Sequence, residues 1–204
     1  MDMITNRRSE LLDRIVDTLL AGGSADLSLR PLAESVGTSA RLLIYHFGTK
    51  EKLIADALSV VRLRTERSLQ ALAAREKPAS LKDFLFMFWN WATDKPNQGY
   101  FRLLFEVDGL SMYNRLKLSR QARQDGASVW VALIDRAAAV ASEDGKLLSA
   151  HSTLIVGAIT GLLQDFLSTG DRKRTTAALS DLVDLVCSDG NKRPRKSSPK
   201  GRDS

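Results

Sequence analysis

The chemistry open to this chain is narrow. Its two histidines, His46 and His151, lie far apart in sequence, and its one cysteine is Cys187. Nucleophilic catalysis needs a base within reach of a nucleophile, and no spacing marks out such a pair. His46 has no cysteine, acid or second histidine at metal-ligand spacing, and no metal-spaced Cys/His group occurs. Neither a phosphate-cradling glycine loop nor a His-Glu-x-x-His helix occurs. Asp181 and Asp184 share a helical face, but at the edge of an amphipathic stripe, where a solvated face is the simpler reading. No enzyme, no metal and no cofactor are therefore expected. One short stretch does carry chemistry: Thr38-Ser39-Ala40-Arg41 sets a guanidinium and two hydroxyls beside a small residue. A guanidinium fork matches guanine O6 and N7, and hydroxyls reach base edges or phosphates. That is the chemistry of reading a polynucleotide.

The elements that must position these groups follow from residues 29–48, LRPLAESVGTSARLLIYHFG. A short helix from Leu29 to Val36 follows Ser28 as N-cap, with Pro31 in the first turn, where a missing amide is harmless. Gly37 supplies a left-handed turn, and a second short helix runs from Ser39 to Phe47. Leu32, Val36, Leu43 and Phe47 point to a shared core, with the small Ala33 at the crossing. The exposed N-terminal end of the second helix is then the part that enters a major groove, as in a helix-turn-helix. An amphipathic helix precedes it, with Leu11, Leu12, Ile15, Val16, Leu19 and Leu20, Thr5-Asn6 as caps and Gly22-Gly23 as stop. After Gly48-Thr49 a long helix runs from Lys50 toward Arg75.

Through GTSARLLIYHFGTKEKL, Gly37 to Leu53, the sequence resembles the TetR family of bacterial transcriptional regulators. Tyr45-His46-Phe47 and Thr49-Lys50-Glu51-Lys52-Leu53 carry the likeness, which covers roughly residues 5–60. Ile44 stands where the family usually has an aromatic residue, and Arg41-Leu42 replace a commoner small pair. The resemblance implies DNA contacts by Thr38, Ser39, Ala40, Arg41, Leu42, Tyr45, His46, Thr49 and Lys50. Among them Tyr45 would donate to a phosphate. Thr49 and Lys50 would hold another at the start of the long helix, where free amides and an ammonium group converge.

Composition changes after Lys77-Pro78-Ala79-Ser80: nine of the chain's thirteen aromatics fall between Phe84 and Tyr113. So many large rings pack poorly without voids, and ligand pockets are typically apolar and aromatic. In the TetR family this region houses an effector pocket. An unknown apolar or aromatic ligand is therefore expected among Phe84, Phe88, Trp89, Trp91, Tyr100, Phe101, Phe105 and Trp130, with Glu106, Asp108 or Gln98 as polar anchors. A plain large-residue core is the competing reading. The stretch from Leu154 to Leu167, with Gly157 and Gly161 four apart, and the stripe Leu179, Leu182, Val183, Val186 suit helices packed on two sides. The resemblance makes them a four-helix homodimer interface, while intramolecular core is the alternative.

The fold expected is all-α, about nine helices, divided into three parts. Residues 1–50 would form a three-helix helix-turn-helix DNA-binding domain, 51–187 a larger ligand-binding and dimerisation domain, and 188–204 a basic disordered tail. Of the net charge of +6, residues 192–204 carry six basic and one acidic side chain, so the excess belongs to the tail. Residues 1–52 carry seven of each sign, which weighs against DNA unless Arg7, Arg8, Arg30, Arg41, Lys50 and Lys52 share one face. A lone cysteine, no apolar leader in Met1–Glu10 and no uncharged stretch of membrane-like composition longer than Ser152–Gln164 suggest a soluble, cytoplasmic protein that crosses no membrane. The expected function is a ligand-responsive TetR-like repressor, binding a palindromic double-stranded operator as a homodimer. The alternative is a small-molecule-binding bundle whose N-terminal unit contacts protein.

Overall fold

A computed structural model of the chain describes residues 2–21, 28–119, 128, 130–137 and 149–188, and among these every regular element is helical. The first helix, α1 (Asp2–Leu20), buries Leu11, Leu12, Ile15, Val16 and Leu19, the stripe expected from its spacing. It begins earlier than Thr5-Asn6 would suggest as caps. Nothing between Asp2 and Thr5 breaks a helix, and Thr or Asn inside one costs only a few tenths of a kcal/mol to about 0.7 kcal/mol. Then come α2 (Leu29–Ser35), α3 (Ala40–Phe47) and the 27-residue α4 (Lys50–Glu76). Ser28 has the extended N-cap backbone of α2, but its hydroxyl makes no capping bond. Lys77, in the left-handed conformation at φ 48°, closes α4 ahead of Pro78.

The second half comprises α5 (Leu81–Thr93), a 3-10 turn (Lys95–Asn97), α6 (Gln98–Met112), α7 (residues 130–137), α8 (Ser149–Thr169) and α9 (Arg172–Ser188). Ser80 caps α5, accepting from the Asp83 amide at 3.1 Å and donating to its carboxylate at 2.7 Å. The helices α8 and α9 form a hairpin through Gly170, closed by the two-pronged pairing of Arg174 with Asp165 at 2.7 Å for each prong.

One continuous apolar core runs from Ile15 and Val16 through Leu43, Phe47 and Ile54 to Leu85, Trp89, Ile155 and Val183. The long helix α4 spans about 40 Å at 1.5 Å per residue and touches α1, α3 and α5. A single rigid element therefore reaches from the helix-turn-helix into the larger bundle. A second link is α6 against α1, where Gly99 lies on the backbone of Leu20. Of the expected tail, 188–204, Ser188 is instead the last residue of α9, and residues 189–204 lie outside the described residues.

Candidate nucleic-acid interface and apolar cavity

The turn between α2 and α3 is built from its backbone outward. Gly37 adopts φ 65°, its amide donates to Glu34 O at 3.1 Å, and the Thr38 amide donates to Ala33 O at 2.9 Å. Ser39 then caps α3, its Oγ accepting from the Leu42 amide at 3.2 Å. Leu32, Ala33, Val36, Leu43 and Phe47 are buried together. With that side of α3 inside, Arg41, Leu42, Ile44 and Tyr45 project to solvent, Tyr45 at 72% exposure and Ile44 at 39%. Thr49 caps α4 through the Lys52 amide at 3.1 Å, and Lys50 is the first residue of that helix.

Charges from α1 and α4 hold this unit in place. Arg8 donates from Nε to the His46 carbonyl at 3.2 Å, pairs with Asp56 on α4 and stacks over the Phe47 ring at 4.7 Å. It is thus a clamp on the end of α3, and the six cations expected to share a DNA face lose this member. Arg64 on α4 bridges Asp13 at 2.7 Å and Asp17 at 2.6 Å on α1, and the bond to Asp17 raises its pKa further. Arg64 thus lends residues 1–52 one positive charge from outside, while Asp56, paired with Arg8, takes one away, so the local balance stays near neutral and the case for DNA rests on where Arg41 and Lys50 stand. Meanwhile Arg7 and Arg14 line a small cleft with Thr38, Leu42 and His46, beside the turn. Arg14 was not singled out from sequence, although its seven-residue spacing from Arg7 places both on one face of α1.

The aromatic segment encloses an apolar cavity of about 40 Å³ between α5, α6, α7 and α8. Phe88, Phe101, Phe105 and Trp130 line it, with Leu163 and Thr160 from α8. Phe88 meets Phe101 edge-on, centroids 6.2 Å apart, and meets Trp130 at 5.4 Å. Tyr100 and Trp91 stand behind these rings, Tyr100 5.9 Å from Trp130 and Trp91 6.1 Å from Phe101.

Two expected pocket residues lie elsewhere. Trp89 is fully buried on the opposite side of α5, donating to Thr176 Oγ1 at 2.9 Å and packing on Phe166. Adjacent residues on a helix diverge by about 100°, so Phe88 and Trp89 cannot serve one cavity. Phe84 belongs to a separate, larger and more open depression of about 410 Å³, with Pro78, Leu133 and Arg136. The polar anchors are also absent from the lining. Gln98 donates to Thr93 O at 2.8 Å, joining α6 to α5, while burial raises the carboxyl pKa of Glu106 and of Asp108 outside the cavity.

Residues 11–57 match the sequence pattern described as "Bacterial regulatory proteins, tetR family". That likeness covers just under a quarter of the chain. The match spans α1, α2, α3 and the first turns of α4, the elements just described around Gly37 and Arg41. Among solved structures, the multidrug binding protein EbrR complexed with imidazole is similar in fold, with a TM-score of 0.59 at 20% identity, over 87% of this chain and 89% of that one. No curated protein matches.

The likeness in sequence covers the helix-turn-helix unit, and the likeness in fold extends over most of the chain. Among its described residues no helix is long and apolar enough to cross a membrane, and no cluster of His, Cys, Asp and Glu could hold a metal ion. The residues expected to touch DNA are brought to one end of the molecule. Arg41, Leu42 and Tyr45 lie on the open face of α3, Thr38 and His46 border the α1 cleft, and Thr49 and Lys50 begin α4. Ser39 and Thr49 each spend one oxygen lone pair on a helix cap, which leaves their hydroxyl hydrogens free to donate. Ile44 is the exposed apolar residue that sequence reasoning left unassigned on this helix. The signal was present, since Leu43 and Phe47 lie four apart and exclude Ile44 from their face.

Proposed function

We propose that this chain is a TetR-like, DNA-binding transcriptional regulator, a ligand-responsive repressor that binds a palindromic operator as a homodimer. The observation that carries this reading is the open face of α3, where Arg41, Ile44 and Tyr45 project away from a fully buried Leu43 and Phe47. Arg41 would make the bidentate contact to guanine, Ile44 would pack on a thymine methyl group, and Tyr45, Thr38 and Ser39 would donate to the backbone or base edges. Lys50 at the start of α4 would hold a phosphate without regard to sequence. The division of labour follows residues 1–50 for DNA and 51–187 for effector and partner.

Dimerisation is supported by the outer side of the α8–α9 hairpin. Leu154 and Leu185 are exposed there, and the Cα hydrogens of Gly157 and Gly161 face open space. Covering such a surface with its own copy generates the two-fold symmetry a palindrome requires, with half-sites one helical turn, about 34–36 Å, apart or a multiple of that. An apolar or aromatic effector in the α5–α8 cavity would favour one of two dimer geometries, with a coupling of about 1–3 kcal/mol. The cell compartment that suits this role is the cytoplasm.

Selection from a random duplex library tests the proposal. It predicts recovery of an inverted repeat with a guanine in each half-site, and loss of preference at that guanine for Arg41→Ala. Recovery of no common sequence would favour the rival, a small-molecule-binding bundle whose N-terminal unit contacts protein.

A further inference from the structure

The cations of the N-terminal unit divide into those already matched and those left open. Arg8 is committed to Asp56, and Arg64 to Asp13 and Asp17. Arg7 and Arg14 are exposed on α1 and, among the described residues, have no ion-pair partner. Seven residues separate them, about 10 Å along the helix axis. Both border one cleft, whose opposite wall is the turn and a flank of α3: Gly37, Thr38, Leu42 and His46. The Arg14 guanidinium reaches across to the turn, its Nη2 lying 3.5 Å from the position that a Cβ on Gly37 would take.

Charge, size and position together select the occupant of this cleft. Two guanidiniums face a single carboxylate, that of Glu10, which lies between them on α1 and among the described residues pairs with neither. The rim is therefore net positive, and an anion seated there relieves the repulsion between the two cations. At about 50 Å³ the cleft has room for about four waters, the scale of a phosphate group and too little for a base. Leu42 belongs both to the cleft and to the open face of α3 beside Arg41 and Tyr45, so a duplex whose bases meet Arg41 brings its backbone to the cleft. Thr38 and His46 are half-buried in the wall and supply a hydroxyl and a ring N–H that can donate to phosphate oxygens.

We propose that Arg14 and Arg7 hold a phosphodiester of the bound duplex, which makes α1 a third element, with α3 and α4, that grips DNA. This rests on the proposed reading of α3 as the helix that reads DNA. Arg14 makes the direct contact, because its guanidinium already lies at the turn ahead of α3. Arg7 closes the cleft from the first half of α1, and Glu10 opposes the phosphate by like charge. Lys50 stands beyond the C-terminal end of α3, so the recognition helix is held off both of its ends. Such contacts fix register and carry no sequence information of their own.

The test uses the full-length protein and the duplex recovered by selection, remade as a set in which one phosphate at a time becomes an uncharged methylphosphonate. Neutralising one particular phosphate in a half-site should weaken the wild type about ten-fold, and Arg14→Gln should not respond to that replacement. The same variant should still respond at the phosphate whose effect is lost in Lys50→Ala. Its salt slope should be smaller by about one per half-site, and Arg14→Lys should restore the slope. Glu10→Gln should tighten binding about three-fold on every duplex. Arg67→Gln removes an exposed cation about 25 Å along α4 from Lys50 and should change nothing. Thermal melts establish that each variant is folded. If Arg14→Gln responds to every phosphate as the wild type does, or loses affinity at an unchanged salt slope, the proposal is overturned while the reading of α3 stands. If selection recovers no preferred duplex, the reading of α3 falls and takes the proposal with it.

Discussion

Gly99 meets the backbone of Leu20 so closely that a Cβ at that position would lie 2.2 Å from the Leu20 carbonyl oxygen. The first turn of α6 can rest on the last turn of α1 only because residue 99 has no side chain. Both neighbours are backbone, so neither can rotate aside, and Gly99→Ala must push the two helices apart. Such overpacking costs about 1–3 kcal/mol, or roughly 2–12 °C in melting temperature for a chain of this size. Gly109→Ala on the same helix meets nothing within 4 Å and should raise stability by up to about 1 kcal/mol through helix propensity. Thermal melts of the two variants check the contrast, and similar shifts of one sign would refute it.

Arg8 should behave as a clamp and not as a DNA ligand. Its guanidinium is committed to the His46 carbonyl, Asp56 and the Phe47 ring. Arg8→Ala should lower the melting temperature and weaken DNA binding at all sequences, while the slope of log affinity against log salt stays unchanged. A slope reduced by about one would mean that Arg8 neutralises a phosphate.

Ile44 offers a test on the DNA side. If its exposed side chain packs on a thymine methyl group, replacing that thymine by uracil should weaken binding about four-fold, the value of about 0.8 kcal/mol for one buried methyl. Ile44→Ala should show little response to the same replacement. Equal sensitivity of both proteins at every thymine would remove Ile44 from base reading.

Asp165 should contribute to stability in a pH-dependent way. Its hydrogen bond with Arg174 holds its carboxyl below the ordinary value, so the folded state binds this proton less readily than the unfolded state. A depressed carboxyl stabilises above its unfolded pKa, near 4, and loses that contribution as the pH falls through the lowered folded value. Asp165→Asn should therefore melt below the wild type at neutral pH, by a small margin for so exposed a pair. The two curves should converge below about pH 4. A gap that persists in acid would point to packing in place of charge.

The helix-turn-helix was legible because its signals are local. Four-residue spacings of Leu32 to Val36 and Leu43 to Phe47, with a glycine between, determine both helices and the face each buries. What was not legible depends on partners distant in the chain. Arg8 and His46 are 38 residues apart, and Arg64 neutralises Asp17 from 47 residues away. Nothing in residues 1–52 alone reveals that two of their acids are already matched. In α5 the apolar character extends nearly all round, so composition marks the helix as buried without saying which ring faces which neighbour. Only Thr176 and Phe166 on the far helices show that Trp89 points away from the cavity.

The central claim is that α3 reads DNA and the basic tail does not. Fluorescence anisotropy of the full-length protein across a salt series, with the intergenic duplex upstream of its own reading frame and a scrambled control, tests it most directly. The account predicts selective binding at physiological salt, loss of selectivity in Arg41→Ala, and a salt slope smaller by about one in Lys50→Ala. Equal, weak binding to both duplexes, abolished by removing residues 192–204, would contradict it.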